Sequence, residues 1–131
     1  AEGTLGVITE VGLRLYGLPE AVAGAICTFD SLHGAVDTVQ AVIQMGIPVA
    51  RVELLDTVSI MAINKYSKLG LDEQPTLFFE FHGSQASVDE QAMTAQGLAE
   101  EFGGQKFQWA SDPAERKKLW SARHDAYYAA L

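Results

Sequence analysis

Arg123 stands in "LWSARHDAYYAAL", with Arg116 and Trp120 seven and three residues before it and Tyr127 four after. On a helix that spacing places all four on one face. A guanidinium so placed can clamp a carboxylate through two parallel hydrogen bonds, and Tyr127, one turn on, can line the same pocket. By residue type alone, a surface salt bridge from Arg123 to Asp125 or Glu115 is the commoner arrangement. A second candidate is "EGTLGVIT", residues 2–9. Gly3 and Gly6 would let a phosphate or a flat ring approach the backbone closely. Alone, such a pair is more often a plain turn, and it is no dinucleotide fingerprint because a strand pattern follows it rather than a helix.

The remaining reactive side chains say less. His33, near a helix start, reads as exposed. His82 closes a strand before Gly83 and can hydrogen-bond a loop, and His124 lies about 100° around the helix from Arg123. No two of them have metal-ligand spacing. Ser121, His124 and Asp125 lie within five residues on one helix, which spoils the geometry of a catalytic triad. Cys27 is the only cysteine. It sits in apolar "AICTF", reads as buried filler, and implies no disulfide framework and a reducing compartment.

These residues need elements to position them. The chain has 131 residues, 48% apolar and 20% charged, with net charge −8. That suits one globular domain. The acidic balance argues against nucleic acid or an anionic membrane as the main partner. No segment approaches the roughly 18 apolar residues of a membrane span. The absence of an initiator Met makes Ala1 look like a cut end.

Residues 5–16 alternate with period two, which predicts a strand, and Leu18-Pro19-Glu20 is a connector. Residues 23–29 form a second, more buried strand. Asp30 and Ser31 offer an N-cap to a helix carrying Leu32, Ala35, Val36, Val39, Val42 and Ile43, stopped by Gly46 and Pro48. Residues 49–55 are a strand. Asp56 caps a helix to about Lys68, with Ile60, Ile63 and Tyr66 as core contacts. "TLFFEFH", residues 76–82, is a strong strand. Ser87 and Glu90 have capping-box spacing for a helix ending at Phe102 before Gly103-Gly104. Residues 105–109 are a short strand, and Asp112-Pro113 with Glu115 starts a last helix running to the chain end. Trp109, Trp120 and the phenylalanines of "LFFEF" read as core. The alternation predicts a mixed α/β fold, a sheet with helices on one face.

"EGTLGVITEVGLRLYGLPE", residues 2–20, resembles the last segment of the flavin-binding domain in the FAD-linked oxidases of the vanillyl-alcohol-oxidase type. Ala1 stands where that family commonly has Ser, and Val7 where it has Ile. "VARVELLD", "SKL", "PTLFFEFHGSQ" and "KLWSARHDAYYAAL" resemble the substrate cap of its D-lactate dehydrogenase branch. The glycolate-oxidizing and D-2-hydroxyglutarate-oxidizing branches are more distant. The resemblance implies that residues 1–20 end an FAD-binding domain and that residues 21–131 are an incomplete cap with a largely antiparallel, ferredoxin-like sheet. It also implies that Glu2, Gly3, Thr4, Leu5, Gly6, Val7 and Ile8 border FAD, and that Arg123 with Tyr127 binds the carboxylate of a small 2-hydroxy acid.

The reaction implied is oxidation of D-lactate, or a related D-2-hydroxy acid, to the 2-keto acid by hydride transfer to FAD. Electrons would pass to an acceptor such as cytochrome c, in the mitochondrion. The family's Gly-Asp-Gly-Asn-x-His block, which carries a divalent metal and a proton acceptor, is absent from this chain, as are the main flavin-phosphate loops. No catalytic residue is therefore expected here, and the fragment alone is expected to be inactive. The reading from another class is a free-standing, non-catalytic α/β module that binds a small acid or a partner helix.

Overall fold

The computed structural model describes residues 3–129, apart from the side chain of Ala122. In "AVAGAICTF" the side chains of Ala23, Ala25, Cys27 and Phe29 point to one side and are buried, while Gly24, Ile26 and Thr28 point to the other. This is β1 (Ala21–Phe29). It pairs antiparallel with β3 (Thr76–Gly83) and with β4 (Gly104–Ala110), and β2 (Val49–Leu55) pairs antiparallel with the far side of β3. The strand order is therefore β2-β3-β1-β4. Two helices, α1 (Leu32–Gln44) and α3 (Gln85–Glu101), make the crossovers from β1 to β2 and from β3 to β4. Together these parts form a split βαβ pair, the expected antiparallel ferredoxin-like arrangement.

α1 and α3 lie on the face that carries Ala23, Ala25, Cys27, Phe29, Leu77, Phe79 and Phe81. Ala92, Ala95 and Ala99 let α3 come close to the strands. A Cβ on Gly34 would sit 2.2 Å from the Phe102 carbonyl oxygen, so only glycine lets the start of α1 rest on the end of α3. Burial pushes the Cys27 thiol up to about 12, which leaves it a neutral packing group.

The expectation of helices on one face holds for this pair alone. α2 (Thr57–Ser67) and α4 (Pro113–Ala129) pack together on the opposite face, over Phe78, Ile26 and Leu55. The reason is legible in β3. Leu77, Phe78, Phe79 and Phe81 are all fully buried, so the strand is apolar on both sides and needs cover on both.

The helix starts follow the capping residues. The Ser31 hydroxyl accepts from the Gly34 amide at 3.1 Å, and the Asp56 carboxylate from the Ser59 amide at 2.8 Å. Asp112 Oδ1 accepts from the amides of Ala114 and Glu115 at 2.9 and 3.0 Å. The predicted Ser87–Glu90 box is not the cap of α3. β3 runs on to Gly83, so the first residue free to leave it is Ser84, whose hydroxyl accepts from the Ser87 amide at 3.3 Å. Ser87 instead accepts from the Gln91 side chain at 3.0 Å.

The predicted first strand is also absent. Residues 5–16 join no ladder with the described strands, and Leu5, Val7 and Leu15 are 86–90% exposed. Alternation makes a strand only where a partner takes its backbone hydrogen bonds, and none of the described strands pairs with this segment. Tyr66 and Trp109, expected in the core, are 59% and 37% exposed. Tyr66 lies near the end of α2, and Trp109 on β4 at the open edge of the sheet.

Candidate functional site

Period two puts Arg51 and Glu53 of β2 on one face, and Glu80 and His82 of β3 on the same face as Phe78. The register sets Arg51 opposite Glu80 and Glu53 opposite Phe78. The α4 face of the sheet is therefore apolar at Phe78 and charged towards the β2 edge. Trp120 of α4, nearly buried, stacks at a tilt on Phe78 with ring centroids 5.9 Å apart. Gly24 makes room for it, since a Cβ there would meet the indole Nε1 at 3.1 Å. The Ser67 hydroxyl donates to Asp125 at 2.6 Å and ties α2 to α4.

Around Trp120 the charges form one chain of contacts. The Arg51 guanidinium lies 3.7 Å from the indole centroid, a cation–π arrangement. Its Nη2 donates to Glu80 Oε2 at 2.6 Å, and its Nη1 is 4.0 Å from Glu53 Oε1. His82 Nε2 lies 2.9 Å from Glu80 Oε1. Arg123 Nε donates to Glu53 Oε2. Among the described residues nothing accepts a hydrogen bond from the terminal Nη atoms of Arg123, and its side chain is 40% exposed. Arg116, on the same side of α4, keeps its buried Nε without a hydrogen-bond partner among the described residues. The cluster thus presents a forked donor at its open end, held at Nε by the Glu53 carboxylate.

Burial raises the Glu80 carboxyl, but the Arg51 guanidinium and the His82 ring outweigh it and hold it below the usual carboxylate range. A carboxyl with a depressed folded-state pKa stabilises the fold fully above its unfolded value. That contribution is lost as pH falls through the folded value. Glu80→Gln should therefore flatten the acid limb of a plot of thermal midpoint against pH. Parallel curves for the two proteins would contradict the pairing.

The sequence candidates divide. Arg123 is paired, but with Glu53 and not with Asp125 or Glu115. Tyr127 is 66% exposed and stands edge-on to Tyr128, with ring centroids 5.4 Å apart. Gly3 has φ +80°, nothing lies within 4 Å of a Cβ built at Gly3 or Gly6, and Thr4 lies between them. Gly3, Leu5, Gly6, Val7 and Ile8 line an open depression of about 350 Å³. This backbone is accessible to a flat ligand. Glu2 lies outside the described residues. No hydrogen bond or ion pair among the described residues joins this segment to Arg123.

His33 pairs with Asp37 at 3.4 Å, and His124 is exposed. Ser121 donates to the Lys118 carbonyl at 2.7 Å and Asp125 accepts from Ser67, so no triad assembles. Among the described residues no group of His, Cys, Asp and Glu is placed to hold a metal, and no helix is long and apolar enough to cross a membrane. Arg51, Glu53 and Glu80 went unremarked as site residues. Their signal was the period-two placement of charge in "VARVELL" and "LFFEFH", which means nothing until the register is known.

The family model described as "FAD linked oxidases, C-terminal domain" matches residues 18–131. A protein of Danio rerio named "Probable D-lactate dehydrogenase, mitochondrial" is 48% identical over 131 residues, all of this chain and 26% of that protein. The "D-lactate dehydrogenase [cytochrome], mitochondrial" of Arabidopsis thaliana is 44% identical over 129 residues, 98% of this chain and 23% of its own length. The chain thus spans about a quarter of these curated relatives. Among solved structures, alkyldihydroxyacetonephosphate synthase superposes with TM-score 0.61 at 18% identity, over 98% of this chain and 27% of its own. That likeness concerns the fold.

Proposed function

The chain belongs to the FAD-linked oxidases through their C-terminal domain, and from that membership we propose that it is the substrate-cap part of a mitochondrial flavin-dependent dehydrogenase that oxidizes D-lactate, or a close D-2-hydroxy acid, to the 2-keto acid. The observation that carries this reading is Arg123, held through Nε by Glu53 with its terminal nitrogens unspent on an element braced by Trp120 and Phe78. Two curated D-lactate dehydrogenases that align along nearly the whole chain support the choice of acid.

In this reading the carboxylate of the acid forks onto Nη1 and Nη2 of Arg123. That contact fixes C2, the neighbouring carbon, in place and direction, which removes much of the entropic part of the barrier. Tyr127, one turn further along α4, closes the same side of the pocket in the full-length protein. Residues 1–20 form the end of the FAD-binding domain and residues 21–131 the cap. The open glycine backbone between Gly3 and Ile8 fits the edge of a flat cofactor, because among the described residues nothing occupies the space a Cβ would take at Gly3 or Gly6. Glu2 and Thr4 belong to the same border. FAD, when bound, would supply the hydride acceptor for C2, with an acceptor such as cytochrome c as the proposed destination of the electrons.

The test is anaerobic mixing of the full-length flavoprotein with D-lactate or L-lactate. D-lactate should bleach the oxidized flavin band and L-lactate should leave it. A band that persists with D-lactate would overturn the proposal.

A further inference from the structure

Glu53 has no role in the binding step above, yet it touches more of the cluster than any substrate-facing residue. One of its oxygens accepts from Arg123 Nε, and the other lies 4.0 Å from Arg51 Nη1. Arg51 is itself fixed twice, by Glu80 at 2.6 Å and by the Trp120 ring at 3.7 Å. A free surface ion pair loses much of its value to side-chain motion. Here the carboxylate stands on a strand, only 25% exposed, between two guanidiniums of which one is stacked.

We propose that Glu53 is a positioning residue for substrate. It holds the Nε edge of Arg123, so the end-on pair Nη1 and Nη2 is the fork left for a carboxylate. Without Glu53 the Arg123 side chain would also offer its Nε–Nη edge and sample more rotamers, and two guanidiniums would lose their shared counter-ion. Glu53 never meets the acid. Its effect passes through Arg123 and falls on binding rather than on the chemical step. This inference rests on Arg123 being the carboxylate anchor.

The experiment is a double-mutant cycle in the full-length, FAD-loaded enzyme, with KM and kcat for D-lactate measured for Glu53→Ala, Arg123→Lys and the pair. Glu53→Ala should raise KM about 10-fold, the usual worth of a charge-assisted hydrogen bond, with kcat little changed. The double variant should be no worse than Arg123→Lys, because the residue Glu53 positions is already gone. Glu53→Gln keeps an acceptor for Nε but not the charge, and should fall between wild type and Glu53→Ala. If Glu53→Ala fails to fold, the same cycle is read from Glu53→Gln. A normal KM in the Glu53 variants while Arg123→Lys raises it would overturn the positioning role and leave the proposed function standing. Effects that simply add, or a loss of kcat without a change in KM, would overturn it too. If Arg123→Lys itself leaves KM untouched, the functional reading falls and takes this one with it.

Discussion

Arg123→Lys in the full-length enzyme should raise KM for D-lactate by about 10- to 100-fold, the range expected when charge-assisted hydrogen bonds are lost. Lysine keeps the charge but not the fork. Its ammonium is a compact, strongly hydrated point charge and cannot give a carboxylate two parallel bonds. It also has no second edge, so in the proposed binding mode it must choose between Glu53 and the substrate, whereas arginine serves Glu53 through Nε and would keep Nη1 and Nη2 for the acid. The substitution should leave the flavin spectrum and the thermal midpoint close to wild type, because the side chain is 40% exposed and lies outside the apolar core. Steady-state kinetics check it. A KM equal to wild type would remove Arg123 from the binding step.

Phe78→Ala should lower stability by about 3–5 kcal/mol, the usual cost of deleting a buried ring and leaving a cavity. Phe78 is fully buried and central to the cluster of Ile60, Ile63 and Trp120 that seats α2 and α4 on the sheet. With the ring gone, Trp120 loses its stacking partner, and Arg51 stacks on an indole that has lost its floor. The loss should appear as faster amide exchange in α2 and α4 than in α1 and α3, which rest on the other face against Phe79 and Phe81. Amide hydrogen exchange of the variant, read helix by helix, checks this. Equal loss of protection in all four helices would contradict two separately packed faces.

Much of the framework was legible in local chemistry. Ser31, Asp56 and Asp112 cap the helices their sequences announce, and "TLFFEFH" is the central strand it looks like. Local pattern went wrong where the outcome depended on a partner. Residues 5–16 alternate well enough for a strand but have none to pair with among the described residues. Ser87 has capping-box spacing, but β3 ends one residue before Ser84, and that decides where the helix begins. The second helix layer was latent in the adjacent pair Phe78 and Phe79, which cannot both be buried unless both faces are covered. The site was half legible. Arg123 was a candidate by residue type and spacing and took its expected role from the family resemblance, and its partner Glu53 was not singled out. Seventy residues separate the two, and only the packing of α4 over the sheet brings them together.

A crystal structure of the full-length flavoprotein with a bound 2-keto acid would test the claim on which the account turns. It should show Nη1 and Nη2 of Arg123 about 2.7–2.9 Å from the two carboxylate oxygens, with Nε still on Glu53 and the acid lying against the flavin. An acid held by other cations, with Arg123 turned to solvent, would contradict it.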